Sequence, residues 1–81
     1  MTQKEINLAF RKMYHSFDPK EQTIIKLQIL KTMNWTENQL KNRLIGRTNV
    51  RVYEAEAICT KCRINIDAFF PGLNDPVAEK E

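Results

Sequence analysis

Five of the six residues Asn38, Gln39, Leu40, Lys41, Asn42 and Arg43 carry amide or cationic side chains able to read hydrogen-bonding edges. An Asn amide pairs bidentately with adenine and a Lys or Arg with guanine, so this cluster suits the major groove of duplex DNA if one helix presents it. Cys59-Thr60-Lys61-Cys62 is a second cluster, with the spacing used for zinc or thiol exchange. Zinc in a closed structural site takes four ligands, and beyond the two cysteines the chain offers only the distant His15, which leaves a site shared between two copies as the one zinc arrangement open. A redox CxxC needs its first cysteine at a helix N-terminus near a βαβ unit, whereas Cys59 falls inside a helical pattern. Both thiols therefore read as small buried apolar residues. His15 has no Ser, Cys or carboxylate at a spacing that would make it a base, and Gly46 and Gly72 cannot form a phosphate loop. The expectation is no catalysis, no cofactor and no bound metal.

To present the amide-rich cluster, the chain needs short capped helices. Ile6, Phe10, Met13, Tyr14 and Phe17 recur at helical spacing between residues 4 and 17. Asp18-Pro19 is a start signal, an N-cap oxygen followed by a proline whose missing N–H costs nothing in the first turn. The second helix then runs to Asn34 with a wide apolar stripe of Ile24, Leu27, Leu30 and Met33 flanked by Ile25 and Ile29, and is expected to be central. Asn34 can end it in the left-handed conformation, and Thr36 can cap the next helix with Glu37 complementing its dipole. Leu40 and Leu44 give this third helix, over 36–45, a narrow buried seam, with Glu37, Asn38, Gln39, Lys41, Asn42 and Arg43 outward and Gly46 as its stop. Val52, Ala55, Ile58, Cys59 and Cys62 trace a fourth helix starting near 50–52. Asn65 can cap a short fifth over 66–70, stopped by Pro71-Gly72. Residues 1–72 are expected to form one all-α domain, with a flexible tail over 73–81. Trp35 reads as an anchor of the turn on the core; Phe69, Phe70 and Leu73 are open between closing the core and forming a two-fold interface.

The chain has 81 residues, 42% hydrophobic and 28% charged, with a net charge of +3. That size allows one modest core, which leaves a homodimer open as extra support. No apolar run is long enough to span a bilayer and no leader-like segment opens the chain, so a cytoplasmic protein is expected. Charge is uneven: Lys20, Lys26, Lys31, Lys41, Arg43, Arg47 and Arg51 face only Glu21 and Glu37 over 20–51, roughly +5. A basic middle suits a domain that lays this segment on phosphates.

Two helices joined by a tight turn, the second polar outside, form a helix-turn-helix pattern, and from Ile29 to Phe70 the chain resembles the lambda-repressor-like (Xre-type) helix-turn-helix family without a gap. Ile29-Leu30 falls on the family's Leu-Ala before the turn, Asn34-Trp35-Thr36 on its Gly-Val-Ser, and Leu40 on the buried aliphatic of the recognition helix. Gly46 falls on the closing glycine and Ile58, Cys59 and Cys62 on the apolar positions of the fourth helix. Ile64-Asn65-Ile66-Asp67 with Phe69 falls on Val-Ser-Leu-Asp and a leucine. Three positions depart from the pattern: Leu30 replaces a small residue, Asn34 a glycine and Arg43 an apolar residue. The second helix also starts earlier than the family's. The resemblance implies a five-helix fold and sequence-specific binding of double-stranded DNA by a transcriptional regulator, a repressor in the usual case. Carried over by position, the base-reading residues are Glu37, Asn38, Lys41 and Asn42, and the phosphate contacts are Thr36, Arg47, Thr48 and Asn49. A protein-binding module or antitoxin on the same fold is the competing expectation.

Overall fold

The computed structural model describes residues 1–73. Within them the chain is all-helical, with α1 Gln3–His15, α2 Pro19–Met33, α3 Glu37–Leu44, α4 Val52–Cys62 and α5 Ile66–Phe69, and no strand among the described residues. Helix starts are set by local chemistry. Thr2, Asp18 and Thr36 each accept the N–H of the third helical residue, while Glu5, Glu21 and Gln39 reach back to the cap N–H, so two orphan donors are satisfied at each end. α4 is capped differently: the Glu54 carboxylate accepts the Arg51 N–H at 2.9 Å, but Arg51 has no side-chain acceptor to return. α2 ends as expected, Asn34 taking the left-handed conformation at φ 57°. Gly46 turns left-handed at φ 84° just after α3.

α2 and α4 make the principal helix contact, and α1 lies across α2, α3 and α5. Phe10, Met13, Ile29, Val50, Ile58 and Phe70 form the fully buried centre. One expectation about α2 is corrected. Ile25 and Ile29 face the core with Leu30 and Met33 at its edge, whereas Ile24 (57% exposed) and Leu27 (62%) point to solvent. The apolar residues of α2 encircle it, and only the side that meets α4 can be buried.

Phe70 is 1% and Leu73 4% exposed, so both close the core within one chain, and Leu73 belongs to the packed domain rather than to a tail. Residues 74–81 of the expected tail lie outside the described residues. No helix among the described residues is long and apolar enough to cross a membrane.

Candidate nucleic-acid interface

α3 is an eight-residue helix seated on α1 by Leu40, with Leu44 half-buried one turn on. Opposite that seam, Asn38, Lys41, Asn42 and Ile45 follow the i, i+3, i+4, i+7 rule, so they share one outward strip. Glu37, Gln39 and Arg43 flank the strip and are committed to other parts of the molecule: Glu37 to Lys26 at 2.7 Å, Gln39 to the Thr36 N–H at 2.8 Å, and Arg43 to the Gln39 carbonyl at 3.1 Å. Asn38, Lys41 and Asn42 make no side-chain hydrogen bond with another described residue.

The sequence-predicted base readers therefore divide. Asn38 and Lys41 are exposed and Asn42 half-buried on the strip, while Glu37 stands at its edge, ion-paired across to α2. Lys26 holds the Glu37 carboxyl below the ordinary carboxylate value, and Glu37 holds the Lys26 ammonium above the ordinary lysine value. Glu37 would lose its contribution only as pH falls through its lowered value, and Lys26 only as pH rises through its raised one. The pair is thus charged at neutral pH, and the Lys26 ammonium offsets part of Glu37's repulsion toward phosphate.

Among the predicted phosphate contacts, Thr36 is exposed at the α3 N-cap; its oxygen accepts the Gln39 N–H at 3.2 Å and leaves its own O–H to donate. The loop after α3 folds back on the helix, because the Asn42 carbonyl accepts the N–H of Arg47 at 2.8 Å and of Thr48 at 3.2 Å. Arg47 is exposed there and Thr48 half-buried. Asn49 has a structural duty as well: its side-chain oxygen accepts from the Asn7 amide at 3.0 Å, while Asn7 accepts the Val50 N–H at 2.9 Å. These bonds fix the loop to α1. The Asn49 amide nitrogen donates to no other described residue.

Two residues that sequence reasoning missed join this surface. Arg11 on α1 donates its Nε to the Leu44 carbonyl at 2.8 Å, which brings a guanidinium to the C-terminal end of α3. Ile45 is 50% exposed at the end of the strip. Arg11 lies 33 residues from its partner, and no local signal announces it; the i+7 spacing of Ile45 from Asn38 was legible.

Arg43, expected outward, turns in. Its guanidinium carbon lies 3.9 Å from the centre of the Trp35 ring, and Nη2 is 3.4 Å from Oε2 of Glu54, a carboxylate in a residue only 4% exposed. The aromatic face and the carboxylate accommodate a cation where the resembled family has an apolar residue. Trp35 is half-buried against the core, as an anchor should be.

The basic middle of the sequence is accordingly split in space. Lys26 and Arg43 are neutralised in pairs, Lys41 and Arg47 accompany the α3 strip with Arg11, Lys20 and Lys31 lie on the outer side of α2, and Arg51 is exposed at the α4 N-cap.

Both cysteines are free thiols. Burial pushes Cys59 up to about 11 and raises Cys62, so neither is an activated thiolate. At pH 8 only about a thousandth of Cys59 would be ionised at that value. Mass spectrometry of the native protein with iodoacetamide should show Cys62 modified first and Cys59 protected until unfolding; rapid double labelling would contradict a packing role. Among the described residues, no three His, Cys, Asp or Glu side chains gather into a group that could hold a metal ion.

No family model, curated protein or solved structure matches the chain.

Proposed function

We propose that this chain is a non-catalytic, double-stranded DNA-binding domain of the lambda-repressor-like helix-turn-helix type, a transcriptional regulator and most simply a repressor, which lays α3 in the major groove. The observation that carries this reading is the α3 strip, where Asn38, Lys41 and Asn42 make no side-chain hydrogen bond among the described residues, on a helix narrow enough for the groove. Asn38 and Asn42 suit adenine, Lys41 suits guanine, and Ile45 offers an apolar contact for a thymine methyl group. Arg47 and Arg11 at one end of α3, and the Thr36 hydroxyl at the other, would meet backbone phosphates. The family reading gains support from Asn34, which adopts the left-handed conformation of the glycine it replaces, and from Arg43, which is accommodated internally.

Selection of bound duplexes from a random pool tests the proposal, followed by gel-shift titration at two salt concentrations. Asn42→Ala should weaken the selected site by about 1–3 kcal/mol and leave non-specific binding unchanged. Arg47→Ala should weaken every sequence alike and lower the salt slope by about 1. Failure to enrich any duplex would remove the proposal. A protein-binding role has separate support in the exposed apolar residues of α2.

A further inference from the structure

α2 carries a second surface unrelated to the α3 strip. Lys20, Ile24, Leu27 and Lys31 lie at i, i+4, i+7 and i+11, so they form one line along the helix, and all four are exposed. That line faces away from Ile25 and Ile29, which pack on the core, and away from Lys26, the residue that reaches across to α3. Thr23 and Gln28, both exposed, border it with uncharged groups, and the one carboxylate beside it, Glu21 at the notch, turns back to accept the Asp18 N–H at 3.5 Å. Beside Ile24 the surface is indented, a small depression of about 160 Å³ lined by Phe17, Glu21, Ile24 and Ile25. Solvent therefore meets two large aliphatic side chains, an adjoining notch wide enough for a methyl or isobutyl group, and an ammonium at each end.

Nothing in the fold requires Ile24 or Leu27 to be apolar, because neither contributes to the buried core. Scattered surface aliphatics are ordinary, but this pair is contiguous, notched and bracketed by like charges. We infer that this line of α2 is a docking site for an amphipathic peptide segment of another protein, one presenting apolar residues at helical spacing between flanking carboxylates. Charge selects that occupant. A second copy of α2 laid antiparallel would set Lys20 against Lys31 of its partner, and laid parallel would set each lysine against its own counterpart, so self-pairing meets repulsion at both ends. Carboxylates on the incoming segment turn the same two positions into attractive contacts that fix its register, while Ile24, Leu27 and the notch supply the apolar contact.

The test uses the whole chain as bait for a displayed library of random peptides, with counter-selection against Ile24→Asn/Leu27→Asn. Both substitutions are on exposed positions, and an unchanged thermal midpoint will show that the variant is folded. Enriched peptides should carry two apolar residues at i, i+3 or i, i+4 between Asp or Glu. A synthetic peptide of that consensus should lose at least tenfold in affinity for the double variant, and likewise for Lys20→Glu/Lys31→Glu. Enrichment of basic or uncharged peptides, equal binding to the variants, or no enrichment would overturn the inference. So would sedimentation showing that the wild-type chain self-associates through this face and the double variant does not. DNA binding should be unaffected by Ile24→Asn/Leu27→Asn, which leaves the charge unchanged and so separates this site from the α3 strip.

Discussion

Phe70→Ala should cost the domain about 3–5 kcal/mol of folding stability, the range for emptying a buried phenylalanine site. A chain of this length has roughly 4–12 kcal/mol in total, so the variant will be close to its unfolding threshold at physiological temperature. The side chain is 1% exposed although it lies outside any long helix; Asn65 starts α5 and the Phe70 N–H closes it on the Ile66 carbonyl at 2.7 Å. Leu73 then turns back beneath it, donating its N–H to the Phe70 carbonyl at 3.1 Å. Because the burial occurs within one chain, the loss should be the same at low and high protein concentration. An interface residue would behave otherwise, since stability gained by association rises with concentration. Urea unfolding at two concentrations a hundredfold apart decides between them: a midpoint shift that grows with concentration would assign Phe70 to an interface. Leu8→Ala, at an exposed position on α1, should change stability by no more than about 0.5 kcal/mol and serves as the control.

Phe70 also shows which parts of this molecule were legible in the sequence. Helix limits were, because a cap is a conversation between residues two or three apart: Asp18 with Glu21, Thr36 with Gln39, Asn65 with Asp67. Asn34 could be read as a left-handed stop, and the outward position of Asn38, Lys41 and Asn42 followed from the single buried seam of α3. What resisted was every choice made between elements. Six apolar residues surround α2, and periodicity alone does not say which side meets α4, so Ile24 and Leu27 read as core residues in the sequence. The ties from Asn7 to Asn49 and from Arg11 to Leu44 span more than thirty residues and depend on how α1 crosses α3. Arg43 was the clearest loss. A polar residue on an amide-rich helix reads as one more groove contact until its neighbours in space, Trp35 and Glu54, are known.

Those neighbours lead to the second large effect. Arg43→Ala should destabilise the fold by about 3 kcal/mol, at the low end for breaking a buried ion pair because the arginine side chain keeps 13% of its exposure. The cost falls on Glu54, whose Oε1 would still accept the Arg51 N–H while Oε2 lost its cation in a nearly dry site. Glu54→Gln should cost less, about 1 kcal/mol, since the amide oxygen can keep the cap bond and Arg43 retains the Trp35 face and the Gln39 carbonyl. The pair itself is poorly made: its contact is 3.4 Å long, and Nε of Arg43 is buried without a partner among the described residues. Replacing both charges, Arg43→Met with Glu54→Gln, should therefore recover most of the stability lost by Arg43→Ala, leaving a deficit of about 1 kcal/mol or less. A double-mutant cycle in urea measures the coupling, and additive losses would mean that the two side chains stand independently. The same double variant separates structure from recognition. If Arg43 serves α3 from within, the refolded variant keeps the affinity and base preference of the parent; if Arg43 touches DNA, stability returns while binding does not.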